Sequence, residues 1–106
     1  MFVYSVQCEF REAEVADEVS RWIDWMREVH IPDVIRSGAL SAEFIRFDLH
    51  PPTFQVLYHF ESAHTFALYE KEQAPRLRAD SLREFPSEAG LSYRRNSGQR
   101  VGQFGK

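Results

Sequence analysis

Residues 2–29 read FVYSVQCEFREAEVADEVSRWIDWMREV, and the spacing of their apolar side chains changes once along this stretch. Residues 2–10 carry apolar side chains at every second position, which is typical of a strand with one buried face. From Glu14 the apolar side chains recur every three or four positions, as in an amphipathic helix. They are Val15, Val19, Trp22, Met26 and Val29. The stretch therefore predicts a β-strand followed by a long helix.

A proline and a glycine predict how this helix ends. Pro32 disfavours helical geometry at the residue before it, so the helix is expected to stop near His30. Residues 33–37 are expected to add one short turn. Gly38 would close that turn, because glycine tolerates the left-handed backbone geometry that ends many helices.

The rest of the chain predicts three more strands and one more helix. The strands are expected at residues 41–49, 53–61 and 91–95. A turn at residues 50–52 (HPP) joins the first two of them, and its prolines have no N–H to donate. The second helix starts at Ser62 and should break near residues 73–74, because Pro75 interrupts it.

The element order β-α-β-β-α-β predicts an α+β fold of the ferredoxin-like βαββαβ kind. In this fold a four-stranded antiparallel sheet carries both helices on one face. At 106 residues the chain is one domain, which we expect to span residues 1–96. Residues 97–106 contain cations but no acid and lack apolar periodicity. They are expected to form a flexible basic C-terminal tail.

Alternation within the strands divides their side chains between the two faces of the sheet. The face under the helices is expected to hold Phe2, Tyr4, Val6, Ile45, Phe47, Phe54, Val56, Tyr58, Phe60, Leu91 and Tyr93. The opposite face, called the open face below, is expected to hold Val3, Ser5, Gln7, Phe44, Arg46, Gln55, Leu57, His59 and Arg94. This mixture of apolar and polar residues predicts a homodimer packed sheet on sheet, with a solvated face as the alternative. The candidate dimer-interface residues are Arg46, Gln55, Leu57 and His59.

The segment at residues 22–38, WIDWMREVHIPDVIRSG, carries a resemblance to a known family. Its supporting residues elsewhere are Tyr4, Tyr69, Ala74-Pro75-Arg76-Leu77-Arg78, Phe85 and Arg94. Together they resemble an uncharacterised, mainly bacterial family, domain of unknown function 4286, up to about Asn96. The resemblance implies a dimeric α/β barrel, in which two ferredoxin-like sheets close face to face. An aromatic residue usually follows the glycine in that family, whereas Ala39 and Leu40 follow it here.

A more distant resemblance suggests a function. Trp22-x-x-Trp25, followed by His30-x-Pro32 and a glycine, is similar to the helix end of small cofactor-free isomerases and oxygenases of the same barrel superfamily. In several of those proteins the histidine after the first helix lines the substrate pocket. The resemblance implies a domain that binds a small hydrophobic ligand, such as a carbonyl compound, and acts on it without a cofactor. The alternative is a non-catalytic interaction or regulatory module.

The same helix end defines a candidate site between the first helix and the sheet. His30 is the candidate catalytic residue, because an imidazole with an ordinary pKa of about 6.5 can move protons near neutral pH. Trp25 and Tyr58 are candidate walls of a substrate-binding pocket, and Arg78 is a candidate anchor for an anionic group. The alternative is that His30 only caps the last carbonyls of its helix.

Absent motifs and the overall charge narrow the function further. The sequence has no glycine-rich phosphate loop, no Cys-x-x-Cys and no histidine spacing typical of a metal site, so neither a cofactor nor a metal is expected. The formal net charge of −3 disfavours nucleic acid as a partner. No apolar run approaches the roughly 18 residues of a membrane span, so no membrane partner is expected. The single cysteine, Cys8, suits a core position and a reducing, cytoplasmic location.

Overall fold

Four strands form one antiparallel sheet, and helical segments cover one of its faces. The computed structural model describes residues 1–11, 16–86 and 90–106. The elements are β1 (Phe2–Phe10), α1 (Ala16–Trp25), a π-helical turn (Met26–His30), α2 (Ile31–Arg36), β2 (Ser41–Arg46), β3 (Thr53–Phe60), α3 (Ala63–Glu72), α4 (Ala74–Glu84) and β4 (Leu91–Gln99). The strand order β2-β3-β1-β4 confirms the predicted ferredoxin-like fold. Glu14 and Val15, the expected start of the first helix, lie outside the described residues.

The core lies between the sheet and the helices. Alternate residues of β3 point into it, and each of these is at most 1% exposed: Phe54, Val56, Tyr58 and Phe60. Trp22 of α1 packs on this file, with its ring centroid 4.9 Å from that of Phe54. Phe66 and Tyr69 of α3 each lie 5.2 Å from Phe60. We call α1, the π-helical turn and α2 the first helical arm, and α3 and α4 the second helical arm. Because both arms contact the same side of β3, they cover the same face of the sheet, as predicted.

The predicted phase of β2 is wrong by one residue. Phe44 and Arg46 lie opposite Val56 and Phe54, so their side chains share the helix face rather than the open face. Ile45, which is expected under the helices, takes an open-face position instead. Arg46 therefore does not lie on the open face, where the dimer interface is predicted.

The phase of β2 depends on α1. Residues 44, 45 and 47 are all large and apolar, so alternation alone is compatible with either phase. In the fold Phe44 meets Trp22 edge to face, with the ring centroids 5.6 Å apart. The Arg46 guanidinium lies 5.3 Å from the centre of the Phe54 ring, a cation–π distance. Contacts with distant parts of the chain therefore select the observed phase.

The first helical arm continues past His30, which contradicts the prediction. The backbone of Ile31 is helical, and its N–H donates to the Met26 carbonyl, five residues back. Pro32 stands in the first turn of α2. In an α-helix a proline leaves the carbonyl four residues back without its donor and clashes with it. The wider π-helical turn accommodates this defect. Its hydrogen bonds span five residues instead of four, and the helical arm continues instead of ending.

The π-helical turn changes which residues face inward. Val29, expected on the buried stripe, is 42% exposed, whereas Ile31 is 9% exposed and His30 is half-buried. The wider turn needs an additional residue to return to the same side, so the inward position moves from residue 29 to residues 30 and 31. Gly38 then closes α2 with a φ of +140°, which confirms its predicted role.

The second helical arm breaks where Pro75 predicts it. α3 ends at Glu72 and α4 begins at Ala74. β4 runs further than predicted, so residues 97–99 of the expected tail pair with β1. Residues 101–106 have no regular secondary structure, and their flexibility stays a prediction. Among the residues described, no helix is both long and apolar enough to cross a membrane.

Candidate functional site

A small cavity lies between the π-helical turn, the second helical arm and the three strands β1, β3 and β4. The space open to the centres of water molecules measures about 30 Å³, which is room for roughly two waters. Its polar lining is Tyr4, His30, Tyr58, Tyr69, Arg78, Ser81, Tyr93 and Arg95, and its apolar lining is Val6, Cys8, Met26 and Leu77. This space is called the inner cavity below. His30, Tyr58 and Arg78 of the predicted site share it, and their binding of a substrate stays a prediction.

His30 reaches the inner cavity because the π-helical turn directs it there. The pKa of His30 is lowered to about 4, chiefly by burial; the charge of Arg95 contributes to this lowering, while the carboxylates of Asp33 and Asp80 oppose it. At neutral pH the imidazole is therefore uncharged. A neutral imidazole offers one ring nitrogen as an acceptor and the other as a donor. His30 can therefore accept a hydrogen bond from a molecule in the cavity or donate one to it.

Trp25 supports His30 without lining the cavity. Its ring stacks on the imidazole with centroids 5.2 Å apart and planes inclined by 22°. The other side of Trp25 contacts Phe85, whose centroid is 5.5 Å away. Trp25 therefore orients and shields the imidazole from behind, whereas the sequence predicts it as a pocket wall.

Four tyrosines bring hydroxyl groups to the inner cavity. Tyr4 stacks on Tyr58 at 5.9 Å between centroids and contacts Tyr69 at 6.3 Å. Burial raises the pKa of both Tyr58 and Tyr69 above the ordinary range, and it raises the pKa of Tyr93 to about 12. These three phenols are therefore neutral hydrogen-bond donors at neutral pH. Burial likewise raises the pKa of the Cys8 thiol to about 12, so Cys8 is not a nucleophile here.

Two arginines stand at the mouth of the inner cavity. Arg78 donates through Nη2 to the Tyr4 hydroxyl at 3.3 Å and to Glu70 Oε1 at 2.6 Å. Burial alone would lower the pKa of Arg78, but these partners raise it, so the guanidinium stays charged. The guanidinium of Arg95 lies 4.8 Å from the centre of the Tyr93 ring. The site therefore combines one neutral base, several neutral donors and two fixed positive charges.

Sequence reasoning missed Arg95 as a site residue. Its side chain shares a face with Val6 and Tyr93, because strand alternation repeats every second residue. Tyr93 is predicted to face the helices, and the predicted strand includes residue 95, so the same alternation already places Arg95 on that face. Alternation does not show which helix residues lie over Arg95, and the sequence therefore offers no reason to place it beside His30.

The remaining candidate residues lie on the open face, except Arg46. Gln55 and Leu57 pair with Gln7 and Ser5 there, and Gln55 Nε2 donates to Ser5 Oγ at 2.9 Å. His59 is 8% exposed.

Two charged partners hold the ring of His59. Arg100 Nη2 lies 3.0 Å from His59 Nδ1, and Glu43 Oε1 lies 3.3 Å from His59 Nε2. Since a guanidinium can only donate, Nδ1 accepts and Nε2–H donates to the carboxylate. His59 therefore connects the open face to the segment that follows β4. Contact of these residues with a partner copy stays a prediction.

No metal centre is apparent in the described part of the chain, which holds no group of three or more histidine, cysteine or acidic side chains that could bind an ion. The side chains that line the inner cavity can transfer protons and form hydrogen bonds. A neutral imidazole can abstract a proton next to a carbonyl, and buried phenols and guanidinium groups can stabilise the resulting enolate oxygen.

The chain matches one protein family in sequence and shares its fold with several solved structures. A family model, "Domain of unknown function (DUF4286)", matches residues 1–95. No curated protein is significantly similar to the chain in sequence. A dimeric ferredoxin-like protein from an uncultured marine organism is similar in structure, with a TM-score of 0.73 and 14% identity over 99% of this chain and 98% of that one.

Two further solved structures share the fold. One is a Deinococcus radiodurans protein provisionally described as an antibiotic biosynthesis monooxygenase, with a TM-score of 0.62 and 15% identity over 99% of this chain and all of that one. The other is an MhuD mutant with two manganese protoporphyrin IX molecules bound per active site. Its TM-score is 0.58, with 14% identity over 98% of this chain and 99% of that one. At such identities the likeness concerns the fold alone.

Proposed function

Because the chain belongs to the family of the domain of unknown function DUF4286, whose description names no activity, we propose a function from the site itself. The protein is a homodimer that binds a small hydrophobic carbonyl compound in the inner cavity. There it acts as a cofactor-free enzyme of the isomerase or oxygenase-like kind, with His30 as the base. A reducing, cytoplasmic location is part of the proposal, since the only cysteine is a buried thiol.

The observation that carries this proposal is that an imidazole and several phenols line one cavity. Burial lowers the pKa of His30 to about 4, so its imidazole is uncharged at neutral pH, while the phenols of Tyr58 and Tyr69 keep their protons. A base and neutral donors that face the same space suit proton removal next to a carbonyl, followed by stabilisation of the enolate. Arg78 adds a positive charge at the mouth of the same space.

Binding requires the inner cavity to open. Its free space holds about two water molecules, so an organic ligand must displace side chains as it enters. Met26 is unbranched and adaptable, and Arg78 is long and only partly buried, so these two side chains are the ones expected to move. The small volume of the inner cavity also favours the second candidate function, a non-catalytic interaction or regulatory module. In that case the end of the first helix serves only to stabilise the fold.

A proton-exchange assay separates the two functions. The full-length protein is incubated in D₂O with phenylacetone and a set of aryl ketones and lactones, and proton NMR follows loss of the hydrogens next to the carbonyl. We expect the wild type to accelerate exchange of at least one compound, and His30→Gln to slow it by about 100-fold or more. His64→Gln is the matched control, because His64 is exposed on α3 and should exchange like the wild type.

The same set is tested for binding by thermal shift. A ligand at about 100 times its Kd should add about 2.7 kcal/mol of stability. If no compound shows accelerated exchange or stabilises the protein, the proposed enzyme is contradicted and the non-catalytic module is favoured. Loss of stability alone in His30→Gln, with unchanged exchange, would make His30 a purely structural residue.

The proposed dimer rests on the open face. Val3, Ile45 and Leu57 are apolar side chains there, on a sheet face that no helix of the described chain covers. The similar ferredoxin-like protein from the marine organism is described as dimeric, which supports a sheet-on-sheet pair here. Light scattering should give twice the 12.4 kDa chain mass at micromolar concentration.

Leu57→Asp should dissociate this dimer. A carboxylate at the centre of a desolvated interface raises the dimer dissociation constant by about 100-fold or more. Arg46→Glu is the control: its side chain lies on the helix face, so the dimer should keep its mass. A wild-type mass of one chain, or an unchanged mass for Leu57→Asp, would refute the sheet-on-sheet arrangement.

A further inference from the structure

A second, more exposed space adjoins the inner cavity. This outer basin offers about 180 Å³ to the centres of water molecules. It shares Tyr4, Arg78 and Arg95 with the inner cavity, and Phe66 and Glu70 also line it. The two arginines and Tyr4 therefore form the boundary between an exposed basin and the enclosed space that contains His30.

From this arrangement we infer that the outer basin is a carboxylate site, in which Arg95 and Arg78 hold the acid group of an apolar oxo-acid. Its carbonyl group then enters the inner cavity toward His30. The inference deepens the proposed function, on which it rests, by naming the substrate class: monocarboxylic acids with an apolar body and a second carbonyl.

Arg95 is positioned to attract an anion. Its guanidinium lies 4.8 Å from the centre of the Tyr93 ring, a cation–π distance, and both residues line the inner cavity. Within residues 1–11, 16–86 and 90–106 no acidic group lies within ion-pair distance of it. Its charge nevertheless acts on groups of the inner cavity: it opposes the effect of burial on the pKa of Cys8 and adds to it at His30. A ligand carboxylate would meet an available charge close to the proposed base.

Arg78 already binds a carboxylate in this place. Its Nη2 is 2.6 Å from Glu70 Oε1, which demonstrates that an acid group fits beside it. Both of its hydrogen bonds use Nη2, so the N–H donors of Nη1 and Nε have no hydrogen-bond partner among the described residues. Together Arg78, Arg95 and Glu70 leave one net positive charge at the mouth. A monoanion neutralises that charge, whereas a phosphate dianion exceeds it by one charge and meets about twice the repulsion from Glu70.

The test compares two probes of nearly the same shape, benzoylformate and benzoylformamide, in which a charged carboxylate is replaced by a neutral carboxamide. Amide NMR of the isotope-labelled full-length protein gives the Kd of each. We expect the acid to bind at least about tenfold more tightly, since a charge-assisted pair of this kind contributes about that factor. Shifts should appear at His30, Arg78 and the strand residues around Arg95. Inorganic phosphate at the same concentration should not displace the acid.

Arg95→Gln should raise the Kd of benzoylformate about tenfold and leave that of benzoylformamide unchanged, while Arg95→Lys should restore most of the preference. Arg94→Gln is the matched control, because the neighbouring side chain lies on the open face of the same strand. Light scattering and circular dichroism ensure that each variant keeps the fold and oligomeric state of the wild type.

Equal affinity for the acid and the amide would overturn the carboxylate site and leave the proposed cavity function intact. Binding of the acid that survives Arg95→Gln unchanged would also overturn it. If neither probe binds, nor any neutral carbonyl compound in the exchange assay, the proposed function and the carboxylate site both fail. If inorganic phosphate displaces benzoylformate, the outer basin binds a different anion and the carboxylate site is overturned.

Discussion

Trp22→Ala is expected to lower the free energy of unfolding by about 3–5 kcal/mol. Trp22 is fully buried and contacts three aromatic rings of three different strands. They are Phe10, Phe44 and Phe54, with centroids 5.3, 5.6 and 4.9 Å away. Alanine would leave a cavity where α1 meets the sheet. Since domains of this size are stable by only about 5–15 kcal/mol, the loss is a large fraction of the total. Urea unfolding at equal protein concentrations measures it.

Two variants serve as controls for Trp22→Ala. Leu82→Ala removes a side chain that is 58% exposed on α4, and it should change stability by at most about 0.5 kcal/mol. Trp22→Phe should cost clearly less than alanine, because it keeps an aromatic ring. It also removes an indole N–H that is buried and has no hydrogen-bond partner among the described residues. A loss below about 1 kcal/mol for Trp22→Ala would contradict this packing.

Acidification should destabilise the protein through His30. The unfolded chain binds a proton on this residue below its ordinary pKa of 6.5, whereas burial lowers the folded pKa to about 4. Between these values the unfolded state holds more protons, so stability decreases as the pH falls. From about pH 7.5 to about pH 4.5 the contribution is a loss of about 2.5 kcal/mol, at about 1.4 kcal/mol per pKa unit. Urea titrations across this range measure the loss.

The matched variants isolate the contribution of His30. His30→Gln should lack this part of the pH dependence, while His64→Gln, at an exposed position, should keep it. Trp25→Ala should weaken it, because the indole stacked on the imidazole supplies part of the burial. Acidic side chains that do not interact with His30 contribute equally to all four proteins and cancel in the comparison. Equal slopes for the wild type and His30→Gln would mean that His30 is solvated and not buried in the inner cavity.

The sequence by itself determined the fold class and most element boundaries. Period-two alternation in residues 2–10 and 53–61 predicts strands, because a strand with one buried face admits little else. Pro75 and Gly38 predict a helix break and a helix cap, because each imposes its backbone geometry locally. His30, Tyr58 and Arg78 could be proposed together, since the ferredoxin-like topology brings the end of the first helix over the central strands.

Only the tertiary structure decided the features that depend on residues far apart in the chain. The phase of β2 follows from Phe44 meeting Trp22, which no local pattern contains. The first helix continues past His30, through the π-helical turn into α2, because the inward-facing Ile31 packs in the core, and this packing overrides a local preference to stop. The place of Arg95 beside His30 likewise required the pairing of β4 with β1. Alternation assigns a side chain to one of two faces, whereas the position of the sheet and helices in space determines what it meets there.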